Sequence, residues 1–218
     1  LEKYKNLSPS QCHVLPNGFD EEAFKDIKIE DGTVSRPLRF VHAGALYPWE
    51  RDPMPLFKAL AALISSGQLQ SSEVQFEFYG SGEAQTVQGY QQEIDRLGLG
   101  SVVSFLPRIA YKKALQTMAE ADVLLILQAE CCDKQVPAKL YEYFRLGKPI
   151  LALATLSGET GKLILENRAG TVVHWDNEDE IKNNLFETVS KLQRGEVLEA
   201  MQIEKTEIFS RTHQAHRL

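Results

Sequence analysis

From residue 37 onward, short and almost continuously apolar runs alternate with longer stretches in which apolar positions return every three or four residues. The short runs, at 38–42, 74–79, 102–106, 122–128, 149–154 and 170–174, have the length and residue content of strands. The stretches at 53–65, 83–97, 111–119, 137–146, 158–167 and 178–192 read as helices, and in the first of them Leu56, Leu60, Leu63 and Ile64 share one face. The run Val123-Leu124-Leu125-Ile126-Leu127 has no polar position, which suits a parallel strand covered on both faces. Strands and helices in this alternation imply parallel pairing through right-handed crossovers. The pattern predicts an α/β fold, a doubly wound, six-stranded, mostly parallel sheet with helices on both faces. Its ligand is expected outside the carboxyl ends of the strands.

The two ends of the chain follow other patterns. Residues 1–36 are polar and broken by turns, with Val14-Leu15-Pro16-Asn17-Gly18-Phe19-Asp20 as the one distinctive run. Asn-Gly forms turns readily, and Asp20 is placed to cap a short helix at 21–25. Residues 195–218 are charged and weakly amphipathic, and read as a helix with no evident packing partner in this chain. The expected organisation is a connecting segment at 1–36, a ligand-binding domain at 37–194 and a separate terminal helix at 195–218.

Within the alternation, 136–154 carries the most chemistry. Pro137 is tolerated in a first helical turn because its missing N–H would be an orphan there, and Gly147 can take the left-handed conformation that closes a helix. The helix between them opens with free backbone donors and the positive end of its dipole, an anion site to which Lys139 adds a charge. Glu142, one turn on, is an acceptor for hydroxyl groups. Phosphate beside hydroxyls suggests a nucleotide; the alternative is an ordinary βα unit with a solvated Lys and Glu. Gly44 closes the first strand, and Arg51 lies just ahead of the following helix, together a candidate phosphate clamp or simply a turn and a surface arginine. Gly80-Ser81-Gly82 lacks the third glycine of a dinucleotide fingerprint, which argues against a nicotinamide cofactor.

Composition narrows the classes. With 43% apolar and 25% charged residues among 218, the chain can bury a full core. A net charge of −6 argues against a nucleic-acid surface but not against one small anion. No apolar run approaches the ~20 residues that span a bilayer, and residues 1–10 do not have the layout of a signal peptide. A cytoplasmic or membrane-peripheral location is therefore expected. Cys12, Cys131 and Cys132 lack a second ligand pair for zinc and read as free thiols in a reducing compartment. His13, His42, His174, His213 and His216 are scattered, and His42 reads as a core or rim residue.

In this order, the motifs resemble the carboxyl-terminal, donor-binding domain of a GT-B glycosyltransferase of the retaining group 1 type. The matching runs are residues 14–20, Phe40-Val41-His42-Ala43-Gly44-Ala45-Leu46 with Arg51-Asp52-Pro53, Phe78-Tyr79-Gly80-Ser81-Gly82, Val103-Ser104-Phe105-Leu106-Pro107, Val136-Pro137-Ala138-Lys139-Leu140-Tyr141-Glu142-Tyr143 and Gly147-Lys148-Pro149. The resemblance implies a nucleotide-sugar donor, most often a UDP sugar; with Arg51, Lys139 and the helix amides to stabilise the departing diphosphate, no metal is required. It implies donor-binding roles for Gly44, Arg51, Arg108, Ala138, Lys139, Leu140 and Glu142. Glu142 would grip the ribose, the helix N-terminus and Arg51 would face the diphosphate, and 107–109 would border the base. It also implies an amino-terminal domain that supplies the site for the acceptor, a sugar, glycan or lipid-linked molecule, and usually a histidine near the reacting sugar, with 195–218 crossing back to that domain. No catalytic residue is assigned in this chain.

Two departures stand out. Lys134 occupies the place of the usual second glutamate, with Gln135-Val136-Pro137 in place of a glycine-rich loop, and Ala45 replaces the usual arginine after the first strand. The loop is closer to the Val-Pro-Ser-Lys version found in part of the family. These changes leave the sugar contact and the stereochemical outcome open. The rival readings are a nucleotide-sugar epimerase of the same fold and a non-catalytic nucleotide-sugar-binding module.

Overall fold

The computed structural model describes residues 8, 11, 12, 14–29 and 37–216. Much of the expected connecting segment, including His13 and 30–36, lies outside the described residues. Strands and helices alternate as β1 (Leu38–Ala43), α1 (Met54–Ser65), β2 (Val74–Tyr79), α2 (Ala84–Arg96), β3 (Val103–Leu106), α3 (Tyr111–Ala119), β4 (Val123–Leu127), α4 (Ala138–Leu146), β5 (Ile150–Leu153), α5 (Glu159–Glu166), β6 (Gly170–Val173), α6 (Glu178–Gln193) and α7 (Arg211–Ala215). The six strands form one sheet in the order β3-β2-β1-β4-β5-β6, and every pairing is parallel.

Both faces of the sheet are buried. On one, Phe40, Phe76, Phe78, Leu125 and Leu153 pack with α1 through Leu56, Phe57 and Leu60 and with α6 through Ile181 and Leu185. On the other, Val41, Leu124, Ile126 and Ala152 meet Leu115 and Met118 of α3, Leu140, Tyr143 and Phe144 of α4 and Ile164 of α5. The side chains of β4 thus alternate between two cores, and none of its five residues is accessible, which is why its sequence has no polar position. Burying that apolar area is the main stabilising contribution, about 25 cal/mol per Å2.

The segment after α6 corrects the expectation of a terminal helix without a partner in this chain. Among the described residues it forms two 3-10 turns, Ile203–Lys205 and Glu207–Phe209, followed by the short α7. Phe209 packs against Tyr141 and Phe144 of α4, with ring centroids 5.7 and 5.3 Å away, and Met201 is buried in the same cluster. The segment Asn17-Gly18-Phe19 lies alongside: the Phe19 amide donates to Phe209 O at 3.2 Å, and the Arg211 amide donates to Phe19 O at 2.9 Å. Apolar residues at 201, 203 and 209 follow no helical period: Met201 and Phe209 join the cluster around α4, and Ile203 lies against Gly147 at its end.

Candidate functional site

The strand order reverses between β1 and β4, so the chain leaves these neighbours toward opposite edges of the sheet and opens a crevice at their carboxyl ends. Gly44 ends β1 there with φ at +138°, a conformation that favours glycine. A Cβ on Gly44 would sit 2.6 Å from Lys139 Nζ, so glycine is also what lets the lysine approach the strand end.

Across the crevice, α4 opens at Ala138 behind Pro137 with no side-chain cap and ends at Gly147, whose φ of 61° is left-handed as expected. The loop ahead of α4 is held from two sides. The buried Gln128 carboxamide donates to Cys132 O at 2.5 Å and Gln135 O at 2.9 Å, while the Thr160 hydroxyl donates to Gln128 Oε1 at 2.7 Å. Asn17 Nδ2 donates to Val136 O at 3.2 Å, and Gln214 Nε2 donates to Asn17 O at 3.1 Å. The Asn17-Gly18 run is therefore a strap that links the terminal segment to the mouth of α4.

Lys139 is half-buried and directs Nζ inward to 3.2 Å from His42 Nε2. Burial, with the positive charge of Arg51 nearby, lowers the lysine from its usual range to about 7, opposed by Glu142. Among the described residues no carboxylate lies within ion-pairing distance of it. His42 is held well below its ordinary value by burial and then by the charge of Lys139. Arg51 is half-buried on the loop after β1, its guanidinium 5.3 Å from the Tyr47 ring centroid.

Glu142, one turn along α4, accepts a hydrogen bond from the Tyr111 hydroxyl at 2.7 Å. Burial raises its carboxyl, and the Tyr111 hydroxyl and the charges of Lys139 and Arg211 oppose this. Arg211 belongs to α7, so the terminal segment contributes charge to the site.

Glu142 lines a cleft of about 390 Å3 with Gly44, Tyr79, Gly80, Arg108, Ile109 and Tyr111. A second cavity of about 720 Å3 adjoins it, between Ser81, Gly82, Gln88, Gln91 and Pro107, and Arg108 borders both. The fold thus brings Gly44, Arg108 and Glu142 to one cleft, with Lys139 touching it through Gly44 and the charge of Arg51 acting on the lysine. Leu140 stands apart: its side chain is in the core and its amide donates to Pro137 O at 3.0 Å. Lys134 is exposed on the preceding loop.

The sequence reading missed Tyr111, the pairing of His42 with Lys139, and the Gln128–Thr160 brace. Tyr111 appears in the sequence only as a helix start, although an aromatic hydroxyl at the mouth of a cleft helix is a usable signal. The other two join residues 97 and 32 positions apart, which no local pattern reveals.

Chemically, α4 offers a positive charge and its first amides at its start and a carboxylate one turn later. Such a site suits an anionic group joined to a hydroxyl-bearing one. Among the described residues no group of three or more His, Cys, Asp or Glu is arranged to hold a metal ion, and no helix is long and apolar enough to cross a membrane.

No family model matches the sequence, and no curated protein matches it closely. Solved structures do match. Anabaena Alr3699/HepE in complex with UDP and glucose is similar with a TM-score of 0.74 at 21% identity, over 97% of this chain and 57% of that chain. A glycosyltransferase from Rickettsia africae gives 0.74 at 14% identity, over 98% and 57% of the two chains. The lipopolysaccharide outer core galactosyltransferase WaaB, in its apo form, gives 0.69 at 16% identity, over 98% and 56%. The chain spans about half the length of the solved structures it matches. Its fold is the Rossmann-like, all-parallel α/β half of the GT-B fold that these structures share.

Proposed function

We propose that this chain is the donor-binding half of a glycosyltransferase and binds a nucleoside diphosphate sugar, with UDP as the nucleotide. The observation that carries this reading is the pairing on α4 of a half-buried cation without a contacting carboxylate, Lys139, with a carboxylate one turn later, Glu142, at the mouth of the parallel sheet. The diphosphate supplies the counter-charge for Lys139 and Arg51 and accepts from the amides of Ala138 and Lys139. The ribose hydroxyls donate to Glu142, and Arg108 and Ile109 border the base. In transfer, the same cations and amides stabilise charge on the departing diphosphate, so this arrangement requires no metal. The acceptor, a sugar, glycan or lipid-linked molecule, is held by a second domain that closes over the crevice. UDP bound to the similar HepE supports the choice of base.

Isothermal titration of the chain with UDP, GDP, ADP and CDP tests the reading. UDP is expected to bind, and Glu142→Ala is expected to weaken it at least tenfold, about 1.4 kcal/mol, with the fold unchanged by circular dichroism. Failure of every nucleotide to bind, or equal affinity in the variant, overturns it.

A further inference from the structure

The cation of the crevice is held from behind by a histidine. His42 is 1% exposed, and its ring lies 5.9 Å from that of Phe78. Its Nδ1 is 3.1 Å from Leu125 O on the neighbouring strand. A carbonyl oxygen only accepts, so Nδ1 carries the proton and Nε2 keeps its lone pair. That lone pair faces Lys139 Nζ at 3.2 Å, a donor whether the amine is charged or neutral. The ring is therefore fixed as the Nδ1–H tautomer with one outward acceptor. The position opposite is kept open by Gly44, where a side chain would occupy the space that Nζ fills.

We propose that His42 is a positioning residue for the nucleotide: by accepting the hydrogen bond of Lys139 it fixes Nζ beside Gly44 at the edge of the crevice, where the diphosphate meets it. The inference rests on the reading of the crevice as a diphosphate site. The groups that face Lys139 are His42 from β1, Arg51 from the loop after β1 and Glu142 on its own helix, with Tyr111 of α3 and Arg211 of α7 acting through Glu142. Arg51 and burial outweigh Glu142, so the amine gives up its proton near neutrality in the nucleotide-free chain. A bound diphosphate reverses that balance, and the proton passes from solvent buffer to Nζ. His42 cannot take it, because an imidazolium there would be buried between an ammonium and a guanidinium.

The test is calorimetric titration of the chain with UDP at about pH 6 and about pH 8.5, in buffers of differing ionisation enthalpy, with 15N NMR of His42 in the nucleotide-free chain. Proton uptake is expected near zero at the lower pH and to approach one at the higher, where affinity falls about tenfold per pH unit once the amine is neutral. His42→Phe is expected to weaken UDP about tenfold at the lower pH and to shift the pH midpoint of binding downward. His42→Gln keeps an acceptor and is expected to stay within about threefold of the parent. NMR is expected to show the Nδ1–H tautomer unchanged across this range. Normal UDP binding that is unaltered by His42→Phe, without proton uptake, overturns the inference and leaves the functional reading standing. Absence of UDP binding by the unsubstituted chain overturns both. Titration of His42 to the imidazolium in the NMR experiment overturns the inference without reference to either variant.

Discussion

Replacing Lys139 by Met should make the nucleotide-free chain more stable while abolishing nucleotide binding. The lysine ionises near 7 rather than at 10.5 because it is half-buried beside Arg51. Each unit of that difference corresponds to about 1.4 kcal/mol, so the ceiling on the cost of keeping the amine charged is about 5 kcal/mol. The side chain can swing toward the open crevice, and Met leaves His42 Nε2 without a donor at a cost of about 1 kcal/mol. A net gain of about 1–2 kcal/mol at pH 6.5 remains. The sign of the pH dependence follows from proton binding. Between about 7 and 10.5 the unfolded chain holds a proton at this lysine that the folded chain has released, so stability rises with pH across that window, and below it the cost is fully present. Urea denaturation at pH 6.5 and 9 reads both effects: the parent gains stability between them, and Lys139→Met starts higher and loses that part of the slope. Equal destabilisation of the variant at both values would refute the reasoning, because it would mean that the lysine's charge is compensated within the folded chain.

Three further substitutions probe the site and its frame. Gly44→Ala places a Cβ 2.6 Å from Lys139 Nζ at a backbone φ of +138°, so UDP affinity should fall more than tenfold by calorimetry and stability by about 1 kcal/mol. Tyr111→Phe removes the hydroxyl that holds the Glu142 carboxyl down. Its value rises further, so the loss of UDP binding on acidification should begin at higher pH than in the parent, with binding about threefold weaker at neutral pH. Phe209→Ala empties the contact with Tyr141 and Phe144 and should cost about 2 kcal/mol in a urea melt, measuring how far the terminal segment belongs to this domain.

The sheet was largely legible in the sequence because its strands are short, apolar-rich runs set between helical stretches. β4 shows this most clearly, and its neighbours were placed to within a residue or two. The helix from Ala138 to Leu146 was legible for local reasons, a proline before it and a left-handed glycine after it. Glu142 and Gly44 were visible as types suited to a cleft, yet the partners that give the cleft its electrostatics were not. His42 meets Lys139 only because β1 and β4 are neighbours, a consequence of the whole strand order. Leu140 lies in the same motif, and the turn of the helix sends its side chain into the core, a placement that no local pattern distinguishes from that of its neighbours. The terminal segment misled because its packing rests on single residues, Phe209 against Tyr141 and Phe144 and Met201 in the same cluster. Helical periodicity carries no information about contacts of that kind.

A crystal structure of the chain with UDP tests the central claim most directly. The account predicts the diphosphate between Gly44, the Lys139 ammonium and the first amides of α4, with the ribose hydroxyls donating to Glu142. Phosphates elsewhere, for example in the cavity beside Gln88 and Gln91, or a Glu142 carboxylate that touches no part of the nucleotide, would contradict it.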